Sequence, residues 1–148
     1  MESAALGDHL RLDVSWVAEP FGPGPRAAVY AGDDELMLLD CFGKAQGHMH
    51  LNLKQSRLAP EGGAARLSFP PGSVEEHIRR AEFELRHNLR YAIQVNRDPR
   101  VRAITVSDAT LDQAAAWMGE RMRALVASAA QANQPASQPL EPPVGTRR

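Results

Sequence analysis

The chain has 148 residues, 43% of them hydrophobic and 24% charged, with a net charge of −1, so it has room for one domain with a proper core and none for a second. Near-neutral charge excludes a global field for nucleic acid or an anionic membrane. The single cysteine, Cys41, excludes an internal disulfide and a Cys-rich zinc site, and the absence of a leader-like N-terminus or a long apolar run sets the expectation of a cytoplasmic protein without a membrane association.

Leu10, Leu12, Val14 and Trp16 alternate with Arg11, Asp13 and Ser15, the period of a half-buried first strand. The run Phe21-Gly22-Pro23-Gly24-Pro25 breaks it, and Ala27 to Ala31 reads as a second strand. Gly32-Asp33-Asp34 turns the chain into Glu35 to Phe42, a segment apolar on both faces and therefore expected at the centre of a sheet. In the fourth strand, His48 to Lys54, Met49, Leu51 and Leu53 take one face, and His48, His50, Asn52 and Lys54 take the other. Ala65, Leu67 and Phe69 mark a fifth. No helix intervenes, so the strands are expected to form an antiparallel meander.

Ser73-Val74-Glu75-Glu76 is a capping box, and Val74, Ile78, Ala81, Leu85, Leu89 and Ala92 form the apolar stripe of the helix it opens. Asn96-Arg97-Asp98-Pro99 ends that helix, Val101 to Ser107 reads as a short strand, and Thr110-Leu111-Asp112-Gln113 reads as the cap of a second helix with the stripe Leu111, Ala115, Met118, Met122, Leu125 and Ala129. The fold class is α+β, an antiparallel meander of about five strands with two amphipathic helices packed on one face. Residues 1–130 form the domain, and 131–148, rich in Pro, Gln and Ser, are expected to be a disordered tail.

The segment with most chemistry is His48-Met49-His50. Residues two apart on a strand project from one face, about 7 Å apart at about 3.4 Å rise per residue, so both imidazoles are placed to reach one divalent metal ion or one anion. Asn52, Gln55, Asp40 and His77 are the candidate helpers. Gly43, His48, His50, Gln55 and Gly62 approach the spacing of the first cupin motif, but Gln55 stands at the glutamate position and no second motif follows, so the match is coincidental. The commoner arrangement is a hydrated or hydrogen-bonded pair on the polar face of an amphipathic strand whose other face is core. Cys41 is in phase with Met37 and Leu39, which makes it a core residue rather than a nucleophile.

On the first helix, Arg79, Arg86, Arg90 and Arg97 share a sector with Phe83, and His87 and Tyr91 lie beside it. Glu75 with Arg79, Glu76 with Arg80, and Glu82 with Arg86 are spaced for i, i+4 ion pairs, so a solvated face accounts for most of the charge and nucleic-acid binding is not expected. Phe83 lies opposite the apolar stripe, which makes Phe83, Arg86, Arg90 and Tyr91 the candidate interface of a homo-oligomer or protein partner.

Asp40-Cys41-Phe42 followed by His48-Met49-His50 and a long amphipathic helix resembles a family of small bacterial proteins of unknown function with an Asp-Cys-Phe strand and a His-x-His strand. The resemblance spans roughly residues 36 to 95 and implies an α+β domain of bacterial origin, with no activity attached. Two functions therefore compete: a binding or assembly module without catalysis of its own, and a small metal- or ligand-binding enzyme built on His48 and His50.

Overall fold

The computed structural model describes residues 1–18, 22–51 and 65–133. Six strands run in the order β1 (Glu2–Leu6), β2 (Leu10–Val17), β3 (Gly24–Ala31), β4 (Asp34–Asp40), β5 (His48–Leu51) and β6 (Ala65–Ser68), each antiparallel to the next. Helices α1 (Val74–Gln94), α2 (Pro99–Arg102) and α3 (Asp108–Ala132) follow. The layers are those expected, with α1 packed on β4 and α3 on β1, β2 and β3.

The five strands expected of the meander are present, the fourth as far as Leu51 with residues 52–54 outside the described residues, and β1 is added to them. Its sequence, Glu-Ser-Ala-Ala-Leu, has no β-branched residue and no strict alternation. Pairing makes it a strand: Gly7, at φ 70°, turns the chain so that Leu6 lies opposite Leu10 and Glu2 opposite Val14. The apolar run in β4 also has a local cause. The ladder slips between Val29 and Tyr30, so that Val29 faces Met37 while Tyr30 faces Glu35. Leu36 is the extra residue of this bulge, and Leu36 and Met37 are both fully buried.

In α1 the capping box forms as read: the Glu76 N–H donates to Ser73 Oγ (3.1 Å) and the Ser73 N–H donates to Glu76 Oε2 (2.7 Å). Ile78, Ala81, Leu85, Leu89 and Ala92 are all buried against the sheet and α3, each large side chain contributing about 1.5–3 kcal/mol. The expected strand at Val101 to Ser107 is instead α2 followed by irregular chain. Asp98 accepts from the Arg100 N–H (2.8 Å), and Pro99, with no N–H to lose, suits the first helical position. One turn later the same logic displaces the α3 cap. Ser107 Oγ accepts the Thr110 N–H (3.1 Å), so the cap is Ser107 and Thr110 lies inside the first turn. At its other end α3 continues to Ala132, two residues into the segment assigned to the tail; residues 134–148 lie outside the described residues.

The acidic residues of α1 do not form the expected i, i+4 pairs. Arg123 of α3 reaches Glu75 (2.9 Å) and Glu82 (2.9 Å), clamping the two helices together at Gly119, where a Cβ would strike Glu82 Oε1. Arg80 instead pairs with Glu84 (2.5 Å), and Arg86 with Asp112 (3.1 Å). No helix among the described residues is long and apolar enough to cross a membrane.

Candidate metal centre

The sheet face opposite the helices carries the chemistry. Cross-strand register aligns Ser15, Arg26, Asp40, His48 and Ser68 in one row over five strands. The neighbouring row reads Asp13, Ala28, Leu38, His50 and Arg66. Asp40 and His48 are thus direct neighbours on β4 and β5, and His50 lies two residues along the same face.

Asp40 is 1% exposed, and Arg26 holds it by a two-pronged contact, Nε to Oδ1 at 2.5 Å and an NH2 nitrogen to Oδ2 at 2.9 Å. A carboxylate buried this deeply needs such a partner, because an unpaired charge there would cost several kcal/mol, on the order of 3–5. His48 Nε2 lies 3.1 Å from Asp40 Oδ2, while Nδ1 lies 2.8 Å from the Gln46 carbonyl oxygen. A carbonyl accepts only, so Nδ1 carries the proton of that contact, and Nε2, beside a carboxylate oxygen, is the ring nitrogen left for a cation.

The His48 and His50 rings meet edge to face, centroids 4.9 Å apart. One donor atom from each of Asp40, His48 and His50 lies within 4.8 Å of the others. His50 Nδ1 is buried and makes no hydrogen bond among the described residues. Burial lowers the His50 pKa, and nearby His48, Arg66 and Arg26 lower it further against the opposing pull of Asp40, so the ring is held in the neutral form that ligates metals.

Of the expected hydrated or hydrogen-bonded pair, His48 is the hydrogen-bonded kind, 6% exposed and bonded to the Gln46 carbonyl. Phe42 stands edge-on to it with centroids 6.1 Å apart, and the Arg26 guanidinium lies 6.0 Å from the Phe42 ring centre. Asp40 joins the pair, whereas His77 does not. The Gly43 N–H donates to His77 Nδ1 (3.1 Å), leaving Nε2 to donate to the Pro70 carbonyl (2.9 Å), so neither ring nitrogen is left for a metal. Asn52 and Gln55 lie outside the described residues. Cys41 is fully buried, and burial together with the Asp40 charge pushes its thiol far up, in keeping with a core role. Sequence reasoning missed Arg26. Its alternation with Ala28 places it on the polar face, but only the β3–β4 register puts it beside Asp40.

Of the candidate interface residues, Phe83 and Tyr91 are 47% and 46% exposed. Phe83 is flanked by the Arg80 guanidinium at 5.3 Å and the His87 ring at 4.4 Å. Arg86 and Arg90 are engaged by α3 and the chain before it: Arg86 with Asp112, Arg90 with Asp108 (2.7 Å) and the Val106 carbonyl (2.7 Å). A cavity of 570 Å³ lies at the opposite end of β4, lined by Asp34, Asp98, Arg100 and Val101 among others, away from the histidines. Comparison with protein-family models, curated proteins and solved structures finds no significant match for this chain.

Proposed function

We propose that the protein is a binding module whose sheet face takes up a divalent transition metal through Asp40, His48 and His50. The observation that carries this reading is the convergence of three donors within 4.8 Å on one sheet face. A purely structural Arg26–Asp40–His48 ion-pair row would explain two of the three residues. It would leave His50, whose buried Nδ1 makes no hydrogen bond among the described residues, without a role, and a metal gives the ring one.

Two imidazoles and one carboxylate suit zinc with an open position, or iron, nickel and manganese in six-coordinate sites. Donors at about 2.0–2.2 Å from one ion lie roughly 3–3.4 Å from each other. The Asp40–His48 separation of 3.1 Å already meets this. His50, half-buried, would have to swing in by roughly 1.5 Å, a shift within the reach of a side-chain rotation. Arg26, in contact with both oxygens of Asp40, would orient the carboxylate, and the Gln46 carbonyl would hold the His48 ring from its far nitrogen.

Calorimetric titration of the full chain with zinc and nickel tests this. Saturable binding at micromolar Kd or tighter is expected, weakened at least 100-fold in a His48→Ala, His50→Ala variant. Heats no larger than dilution, or equal affinity in the variant, would overturn it. A second reading, self-association through α1, is favoured by the exposed rings of Phe83 and Tyr91, which offer a partner apolar area on an otherwise charged face.

A further inference from the structure

The three donors approach from one side. Asp40 projects from β4, and His48 and His50 from β5, all from the face away from the helices, so an ion held there keeps its remaining positions on the side turned from the sheet. A zinc ion would have one such position and a six-coordinate ion three. The species most suited to those positions is set by the charges around them.

Arg26 flanks the donors on the β3 side, with its charge committed to Asp40. Arg66 flanks them on the β6 side. It is the cross-strand neighbour of His50, its side chain is exposed, and it makes no ion pair among the described residues. Neighbours directly opposite on one sheet face have Cβ atoms about 5 Å apart, within the span of an arginine side chain laid over the ion. Asp40 is the sole carboxylate among the donors, so a loaded site carries an excess of positive charge, with Arg66 the exposed part of it.

Resting on the metal reading above, we propose that the loaded site takes a small oxyanion, a carboxylate or phosphate, with one oxygen on the ion and another on the Arg66 guanidinium. The planar fork of arginine matches both groups in two-point contact, which lysine does not provide. Asp13, on the same row as Arg66 but four strands away, is paired with Arg11 (3.0 Å) and does not compete for it. The site would therefore select for anions that can bridge, and discriminate against chloride.

Cobalt(II) as the probe separates the two proposals. The full chain is loaded with cobalt, its visible bands are recorded, and oxalate, acetate and inorganic phosphate are titrated in separately against constant chloride. Saturable band shifts are expected with phosphate or with the carboxylates, and which of them responds identifies the class. Arg66→Gln should keep the anion-free cobalt spectrum and weaken anion binding at least tenfold. If cobalt bands are absent before any anion is added, both proposals fall. If the bands form but no oxyanion moves them, or Arg66→Gln binds the anions as tightly as the parent chain, the oxyanion proposal alone falls.

Discussion

Gly47→Ala is the substitution for which the structure makes its sharpest demand. A Cβ at Gly47 would sit 2.1 Å from His77 Nδ1, 2.3 Å from Cε1 and 2.7 Å from Cγ. Ordinary contacts lie at about 3.5–4.0 Å, so the ring would have to retreat by roughly 1.3 Å or more. It has nowhere to go. His77 is 1% exposed and fixed on both sides, by the Gly43 N–H at 3.1 Å and the Pro70 carbonyl at 2.9 Å. Overpacking of this kind costs about 1–3 kcal/mol, and each buried group left without its hydrogen bond adds about 1–3. The expected loss is therefore about 3–5 kcal/mol, read as a fall in the urea midpoint by circular dichroism with an unchanged slope.

The mechanism is tested by a double-mutant cycle. His77→Ala removes the ring and strands the Gly43 N–H, so it destabilises by itself. In that background the new methyl group has room, and Gly47→Ala should cost under about 1 kcal/mol, a coupling of at least about 2 kcal/mol. Additive losses would refute the reasoning, because they would mean that Gly47 is required for its backbone and not for its lack of a side chain. A penalty below about 1 kcal/mol in the parent chain would refute it as well.

Two further expectations concern the helices. The Arg123 hydrogen bond holds the Glu75 carboxyl below its ordinary range, so the pair stabilises the folded chain above the unfolded carboxyl pKa, about 4.3, and that stability is lost as pH falls through the lower folded value. The stability gap between the parent and Arg123→Met should thus be constant from about pH 6 to 5 and shrink toward pH 3; a gap that widens on acidification contradicts the clamp, and the exposure of both partners keeps it modest. If α1 self-associates, light scattering on the order of tens of micromolar should give a multiple of the chain mass that Phe83→Ser reduces to one, whereas a monomeric parent chain ends that reading.

The periodic parts of the fold were legible in the sequence because a single physical demand produces them. The Leu10–Trp16 alternation and the Ile78–Ala92 stripe each record one buried face, and Ser73 with Glu76 records the unpaired N–H groups at a helix start. What escaped depends on contacts distant in sequence. β1 is a strand because β2 is beside it, and the Leu36 bulge appears only in the β3–β4 register. The short helix at Pro99 was hidden by Val101, Ile104 and Val106, apolar residues that suit a strand but here pack as single contacts with the core. The histidine pair was legible as a spacing of two, and Asp40 as its neighbour across a turn. The exclusion of His77 was not, because its partners are backbone groups 34 and 7 residues away.

That exclusion changes what α1 does for the site. The loop between β4 and β5 is held in an unfavourable shape, with Gly43 at φ 73° and Lys44 at φ 52°, a region that a lysine seldom occupies. The contacts that hold it come from the start of α1 and the chain before it: Gly72 N–H to Lys44 O at 2.9 Å, Phe69 N–H to Gly47 O at 2.8 Å, and His77 Nδ1 on the Gly43 N–H. Within the loop the Gln46 N–H closes on the Gly43 carbonyl at 3.0 Å, and the Gln46 carbonyl then fixes the His48 ring by accepting its Nδ1 proton. The Ser73–Glu76 cap starts α1 directly after Gly72, next to the loop whose Gln46 carbonyl holds the His48 ring. The helix thus positions the centre without donating a ligand. If the proposed site takes up a metal ion, substitutions at Gly47 or His77 should loosen its binding along with the fold, although neither residue is among the proposed ligands.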